Sequence, residues 1–217
     1  NRDGTKSGNG CHFCDNLSFS PAVKNICSPV EQLKTAINRA SGFDLFIPYL
    51  QPYSNTYGPV SLLRSIYEPL LEVPNVIGLA LGTRPDCFTE EIFAYLDELS
   101  ARTFLSVELG LQSSHDSTLT LINRHHTFAD FVSTVERLAD SGIETVAHVM
   151  LGLPGETAEM MAETAQRLSM LPVSGIKIHQ LMVIQNTRIH QPGCDEDDSV
   201  VTSSEKCRSA DGDGSHG

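Results

Sequence analysis

Two cysteines, Cys11 and Cys14, are separated by two residues and follow a stretch rich in Gly, Asn and Asp at residues 1–10. Thiolates at this spacing bind iron–sulfur clusters or zinc, or form a redox pair. A zinc ribbon needs a second cysteine pair, but Cys27 and Cys87 each stand alone. A thioredoxin-like motif follows a strand and opens a helix, whereas a polar loop precedes this pair. We favour iron–sulfur ligands, with a zinc or redox CxxC protein as the alternative.

A cluster that presents one open iron to a substrate needs three thiolates, and this part of the sequence supplies two. The chain begins at Asn1, inside the glycine-rich stretch and without an initiator Met. We therefore expect a truncated domain whose first cluster cysteine and first strand precede Asn1.

Polar side chains recur at the carboxyl ends of the strands that the sequence predicts. The loops that leave these ends of parallel strands open on one side of the sheet, where ligands bind. Purely structural loops would need only turn-forming residues, so amides, hydroxyls and a guanidinium at the strand ends favour a polar ligand. The side chains concerned are Gln51, Tyr53, Asn55, Thr56, Thr83, Arg84, Asp86, Gln112 and Ser113.

Side-chain alternation identifies further candidates within the strands. Glu108 and Gln112 share one face of the stretch 107–112 and its apolar residues share the other, as in a barrel with a polar interior. His148 lies on the same face as Met150 in the next strand. A single strand histidine is either a core residue with satisfied hydrogen bonds or a functional group, and the sequence leaves both interpretations open.

Strand and helix patterns alternate from residue 29 to about 184. Helix caps are predicted at Ser28, Thr89 and Thr127. Helices of this length between strands predict right-handed crossovers and a parallel sheet covered on both faces. The expected fold is therefore α/β, as a barrel or an open sheet. The predicted strands are 43–48, 75–81, 103–111, 143–151 and 175–184.

The composition indicates one domain of ordinary size with an unusual tail. The 217 residues are 40% hydrophobic and contain neither an apolar run of membrane-spanning length nor a secretory leader, so we expect a cytoplasmic protein with reduced thiols. Residues 1–190 form the predicted core. Residues 191–217 are rich in Ser, Gly and Asp and predict a disordered acidic tail, such as a shifted reading frame would produce. The formal net charge of −12 gives no electrostatic footprint for nucleic acid.

Five motifs occur in the order found in radical SAM proteins, and the chain resembles that superfamily from Asn1 to about Ile189. The likeness is to an uncharacterised branch related to the radical SAM domain of the Elongator catalytic subunit. The motifs are Cys-His-Phe-Cys (11–14), Gly-Thr-Arg-Pro-Asp (82–86), Glu-Leu-Gly-Leu-Gln-Ser (108–113), Ile-Asn-Arg-His-His (122–126) and His-Val-Met-Leu-Gly-Leu-Pro-Gly-Glu (148–156).

This resemblance implies a partial (β/α)6 barrel that lacks its first strand. It implies a [4Fe–4S] cluster held by three cysteines, with S-adenosylmethionine on the fourth iron and reductive cleavage to a 5′-deoxyadenosyl radical that abstracts hydrogen from a substrate. Cys11 and Cys14 match the second and third ligands. With two cysteines present, we expect the chain as printed to be inactive.

The resemblance also implies cofactor contacts, residue by residue. Phe13 matches the aromatic beside the adenine, Gln112 a residue near the ribose, and Arg124 the partner of the cofactor carboxylate. Gln51, Asn55 and Thr56 fall where relatives hold the methionine amino group, although the usual Gly-Gly-Glu is absent. His148 matches an inward position that is polar in relatives, and Glu108 completes the predicted set.

The likeness leaves the substrate unidentified. It implies an electron donor such as flavodoxin or ferredoxin and no membrane partner. The likeness to the Elongator branch suggests an RNA substrate, but the acidic net charge of the chain disfavours binding to nucleic acid. A different functional class is a non-catalytic TIM-like barrel that binds a phosphorylated small molecule at the Gly152–Gly155 loop.

Overall fold

The computed structural model describes residues 10–14, 27–184 and 187–190. The predicted tail at 191–217 lies outside the described residues, so its disorder stays a prediction. The predicted division into a 1–190 core and this tail is likewise an expectation from sequence.

Five strands form one parallel sheet in chain order, with helices between them, as the α/β prediction required. The strands are β1 Tyr49–Leu50, β2 Gly78–Thr83, β3 Phe104–Gln112, β4 Glu144–Leu151 and β5 Gly175–Gln180. The helices are α1 Pro29–Arg39, α2 Val60–Leu71, α3 Glu90–Ser100, α4 Asp116–Leu121, α5 Phe128–Asp140 and α6 Ala158–Leu168, and a short 3-10 helix covers Arg188–His190.

The sheet curves so far that its two edge strands approach each other. The Lys177 ammonium of β5 lies 4.7 Å from the ring centroid of Tyr49 on β1, although three strands separate them in the sheet. Side chains from opposite edges therefore meet inside the curve. This geometry confirms the predicted partial barrel.

The second strand is Gly78–Thr83 instead of 75–81, and the bounds of the first and last strands, predicted from apolar runs, are also wrong. The first strand is Tyr49–Leu50 instead of 43–48, because within the earlier run Phe46 alone forms a bridge, to Val76, and Phe43 stays 70% exposed. The last strand ends at Gln180 instead of 184, because its partner β4 ends at Leu151, which pairs with Gln180. In both places an apolar run continues beyond the available partner strand.

The helices begin where the sequence predicts. Ser28 and Thr127 form capping boxes with Glu31 and Asp130, and the Thr89 hydroxyl accepts from the Ile92 amide. The main core lies between the outer face of the sheet and the helices, and includes Leu79, Leu96, Val107, Leu109, Phe131, Val135 and Ala147. No helix in the described part of the chain combines the length and apolar character needed to cross a membrane.

Candidate functional site

A cavity of about 470 Å³ opens inside the curve of the sheet. Eight of the ten side chains predicted from sequence to bind the cluster or the cofactor line it. They are Cys11, Phe13, Cys14, Gln51, Glu108, Gln112, Arg124 and His148. The structure thus brings together residues that are as much as 137 positions apart in the chain.

The other two predicted residues, Asn55 and Thr56, do not line this cavity. The Asn55 amide donates to the Leu50 and Gly82 carbonyls at 2.6 and 2.8 Å. The buried Thr56 hydroxyl contacts the Thr83 hydroxyl at 2.6 Å and donates to the Cys87 carbonyl at 2.7 Å. Both side chains tie the loop after β1 to β2 and the loop that follows it.

The turn that carries the two cysteines is held from both sides. The His12 amide donates to the Ile122 carbonyl at 3.1 Å, and the Asn123 amide group donates to the Gly10 carbonyl at 2.6 Å. On the other side, the Ile189 amide donates to the His12 carbonyl at 3.2 Å. The loop at 122–126 therefore positions the turn although more than 100 residues separate them.

Arg124 lies next to the first cysteine and is 5% exposed. Its Nη1 donates to Cys11 Sγ at 3.2 Å, its Nε to His126 Nε2 at 3.1 Å, and its Nη2 to the Gly110 carbonyl. Arginine has five N–H donors, so two remain after these contacts. We call Cys11, Cys14 and Arg124 the thiol wall of the cavity.

Arg84 lies beside Arg124 and is also buried. It donates from Nε and Nη2 to both carboxylate oxygens of Asp86 at 2.8 and 2.9 Å, and from Nη2 to the Arg124 carbonyl at 2.5 Å. Burial opposes ionisation of Asp86, but the hydrogen bonds and charge of Arg84 hold the pKa of Asp86 below its ordinary value. The Gly-Thr-Arg-Pro-Asp motif identified Arg84 and Asp86 as candidates, but it did not predict that Arg84 holds the Arg124 carbonyl.

β3 has an irregular end that aims Gln112 at the cavity. The pairing with β4 shifts between Gly110 and Gln112, and Gln112 has a φ of 79°, which a non-glycine residue rarely adopts. A Cβ on Gly110 would lie 2.8 Å from Arg124 Nη2 and 3.0 Å from Gln112 Nε2. Glycine at 110 therefore leaves room for both predicted cofactor contacts.

An ionic layer of Glu108, His148 and Lys177 lies on the inner face of the sheet, near the middle of the strands. Glu108 Oε2 accepts from His148 Nε2 at 2.6 Å and from Lys177 Nζ at 3.1 Å. Burial opposes the ionisation of Glu108, but the neighbouring side chains of Tyr49, His148 and Lys177 hold the pKa of Glu108 below its ordinary value. Burial lowers the pKa of His148, and Glu108 offsets this only in part.

Tyr49 and Lys177 were not predicted from the sequence, and for His179 the sequence left open a substrate contact or a core position. Tyr49 and His179 line the cavity, and burial followed by the charge of Glu108 raises the pKa of Tyr49. Lys177 and His179 share one face of β5 by alternation, which was the available signal. These two residues lie beside the other side chains of the site only because the sheet curves, and strand alternation does not predict that curvature.

Phe13 covers one end of the cavity with an apolar cluster. The ring packs with Leu119, Ile122, Leu153 and Ile189, and both cysteines lie against the same cluster. The Cys11 thiol therefore lies between an apolar wall and a guanidinium.

The donor set fits an iron–sulfur cluster in type but supplies two ligands. No group of three His, Cys, Asp or Glu side chains that could hold a metal exists within the described ranges. Cys11 and Cys14 are soft donors of the kind that iron–sulfur clusters prefer, and a third thiolate would have to join them. The same finding gives no support to a zinc site of four protein ligands in this part of the chain.

The loop suggested as a phosphate site is already capped. Gly152 and Gly155 have positive φ values of 80° and 78°, and the next helix begins at Ala158. The Thr157 hydroxyl accepts from the Met160 amide at 3.3 Å, so a side chain satisfies one of the donors that an anion would use.

A family profile described as the radical SAM superfamily matches residues 7–168. The chain is 39% identical over 191 residues to the uncharacterised protein YtqA of Bacillus subtilis strain 168. The matched region covers 86% of this chain and 59% of YtqA. It is 28% identical over 118 residues to Elongator complex protein 3 of Saccharomyces cerevisiae, covering 53% of this chain and 21% of that protein. The chain thus spans about three fifths of YtqA.

Among solved structures, the fold is similar to that of the archaeal Methanocaldococcus infernus Elp3 with an N-terminal deletion. The TM-score is 0.70 at 21% sequence identity, and the match covers 79% of this chain and 46% of that one. This likeness supports the partial barrel.

Proposed function

Because the chain belongs to the radical SAM superfamily, we propose that its cavity is a site for a [4Fe–4S] cluster and S-adenosylmethionine. The observation that carries this proposal is the thiol wall. Two cysteines of a CxxC turn and a buried arginine meet at one side of a cavity that Gln51, Glu108, Gln112 and His148 also line. Iron–sulfur ligands and a partner for a carboxylate are thereby adjacent.

In this proposal, Cys11 and Cys14 would hold two of the irons, and the cluster would need a third thiolate besides them. When bound, the cluster supplies one electron for the reductive cleavage of S-adenosylmethionine into methionine and a 5′-deoxyadenosyl radical. Arg124 offers its two remaining N–H donors to the cofactor carboxylate, for which a planar guanidinium is well suited. Phe13 and its apolar cluster exclude water beside the thiols.

The remaining lining residues orient the rest of the cofactor and the substrate. Gln112 lies at the end of β3 beside Arg124, in reach of a ribose held there. The ionic layer lies four residues deeper along β3, on the order of 10 Å away, and is the proposed boundary of the reaction space. Gln51 closes the cavity at the end of β1.

We also propose a substrate class, an electron donor and a cellular location for this protein. RNA is one candidate substrate class by likeness, since Elongator complex protein 3 of yeast and the tRNA uridine(34) acetyltransferase of Methanocaldococcus infernus are similar in sequence to this chain, but the net charge of −12 gives no electrostatic footprint for it. A low-potential carrier such as flavodoxin or ferredoxin is the proposed electron donor, in the cytoplasm. We propose that the two thiolates of the thiol wall alone do not support cleavage of S-adenosylmethionine.

Anaerobic reconstitution tests the cluster. A chain extended upstream in its genomic frame, incubated with iron and sulfide, is expected to turn brown and to bind about four irons. With a low-potential reductant and S-adenosylmethionine it should form 5′-deoxyadenosine. Cys11→Ser and Cys14→Ser should abolish both, and Cys27→Ser, at an exposed cysteine, is the matched control. A colourless, iron-free extended chain would rule the proposal out.

A further inference from the structure

The position of Arg124 against Cys11 depends on what holds its side chain. Of its three protein contacts, one goes to the cysteine and one to a backbone carbonyl. The third, from Nε to His126 Nε2 at 3.1 Å, goes to a side chain that neither the fold nor the family resemblance has given a role. His126 is 6% exposed and does not line the cavity.

The chemistry of this contact fixes the state of the imidazole. An arginine can only donate, so His126 Nε2 must offer its lone pair, and the ring proton must be on Nδ1. Nδ1 lies 3.2 Å from the Thr127 carbonyl, which can only accept. Both ring nitrogens are therefore satisfied by one neutral tautomer. Burial, and then the charge of Arg124, lower the pKa of His126 to about 4, in keeping with that tautomer.

The segment around His126 is shaped for this contact. Asn123 and His125 have positive φ values of 59° and 57°, so two residues of the 122–126 loop adopt a conformation that favours glycine. The same loop binds the cysteine turn through the Ile122 carbonyl and the Asn123 side chain. From the other direction, Arg84 holds the Arg124 carbonyl.

We propose that His126 is a positioning residue that holds the Arg124 guanidinium against Cys11 Sγ. The inference rests on the proposed function in that Cys11 is taken as a cluster ligand. Hydrogen bonds to cluster sulfurs, and nearby positive charge, raise a cluster's reduction potential. His126 thus acts on the electron-accepting centre through Arg124 without contacting it.

Two substitutions separate this role from simple packing. His126→Leu replaces the imidazole by an apolar side chain of similar volume and so removes the acceptor. His126→Gln replaces the accepting ring nitrogen by an amide oxygen that can accept from Arg124 Nε. A residue that merely fills space would tolerate leucine at least as well as glutamine, whereas a positioning residue is rescued by glutamine alone.

The first measurement needs no cluster and uses the 217-residue chain. By NMR, the Arg124 Nε–H is expected to exchange slowly with water in the parent and in His126→Gln, and at least about tenfold faster in His126→Leu. The amide of His12, which donates to the 122–126 loop, should accelerate in parallel. The amides of Val107 and Leu109 in β3 report global stability, and the acceleration at Arg124 Nε and His12 should exceed any change in their exchange. Equal protection of the Arg124 Nε–H in all three proteins would overturn the proposal.

The second measurement is the midpoint potential of the reconstituted cluster in the extended chain. We expect a more negative potential for His126→Leu than for the parent, with His126→Gln close to the parent; three equal potentials would refute the effect on the cluster. A parent that takes up no iron would defeat the proposed function instead, and the exchange experiment would still decide whether His126 positions Arg124.

Discussion

The thiol wall and the ionic layer are two polar regions of one cavity, and they are built differently. The thiol wall is carried by loops, and its Arg124 is fixed by the hydrogen bonds that it donates to a carbonyl, a histidine and a cysteine. The ionic layer is carried by strands, and the side chains of Glu108, His148 and Lys177 are placed by the alternation of β3, β4 and β5. The first depends on specific contacts and the second on the sheet.

This difference predicts unequal sensitivity to mutation. Removing one contact in the thiol wall leaves buried acceptors without donors, which costs about 1–3 kcal/mol for each group. A change in the ionic layer leaves the strands in place and affects partners that are partly exposed, such as Lys177. Substitutions should therefore be more damaging in the loops than on the inner face of the sheet.

The largest effect is expected for Arg124→Met. Methionine fills much of the space, but the Gly110 carbonyl and His126 Nε2 lose their donor inside the protein. The free energy of unfolding, measured with urea, should fall by about 4 kcal/mol. Arg137→Met is the matched control, because its ion pair with Asp97 is more than one third exposed and should cost less than about 1 kcal/mol. Equal losses in the two variants would contradict the contrast.

The next effect is a pH dependence from His126. Its pKa is about 4 in the folded protein and 6.5 ordinarily, so the unfolded chain binds the proton first as the pH falls. Stability from this group is complete above about pH 6.5 and decreases toward pH 4, by about 3 kcal/mol in all. His126→Gln should lose less stability than the parent between pH 7 and pH 4.5, as shown by urea midpoints. Parallel decreases would show that His126 does not titrate in this way.

The sequence predicted the ionic layer better than it predicted how the thiol wall is held. Glu108 and His148 followed from strand alternation, which the parallel sheet preserves. Arg124 and Cys11 were found through motifs, but their contact depends on a loop that crosses from residues 122–126 to the cysteine turn. No pattern in the sequence gives the direction of a side chain in a loop with positive φ values, so the roles of Arg84 and His126 appeared only in the structure.

The same reasoning explains the misplaced first strand and the different roles of Asn55 and Thr56. An apolar run predicts burial, but pairing also needs a neighbour, and β2 offers Tyr49 and Leu50 their partners at Ala80 and Leu81. A polar residue after a strand can serve a ligand or its own loop. In the case of Asn55, contacts to backbone carbonyls already use the amide.

A smaller effect, which compares the two regions with one chemical change, is expected from adding a methyl group. At Gly110, beside the thiol wall, a Cβ would lie 2.8 Å from Arg124 Nη2, so Gly110→Ala should displace the guanidinium and cost about 2 kcal/mol. At Gly175, in β5, the nearest atom to a Cβ is a Val146 methyl at 3.6 Å, an ordinary contact.

Gly175→Ala should therefore be neutral or slightly stabilising, because alanine loses less backbone entropy on folding than glycine. Urea unfolding of both variants checks this. A Gly110→Ala protein as stable as the parent would mean that Arg124 can move without loss, and the thiol wall would then be no more exacting than the sheet.

The smallest effect should come from the ionic layer itself, through Glu108→Gln. The amide keeps an oxygen that accepts from His148 Nε2. The substitution removes the ion pair with Lys177, but the Lys177 side chain is 38% exposed and can be solvated by water instead. We expect a loss of about 1 kcal/mol at pH 7, measured by urea unfolding. Because the pKa of Glu108 is below its ordinary value, this contribution is present above the ordinary carboxyl pKa and declines as the pH falls through the lower folded value. The parent and the variant should therefore converge in stability at acid pH. A loss as large as that of Arg124→Met would show that the ionic layer is held by contacts as specific as those of the loops, and that placement by the strands is not what makes it tolerant.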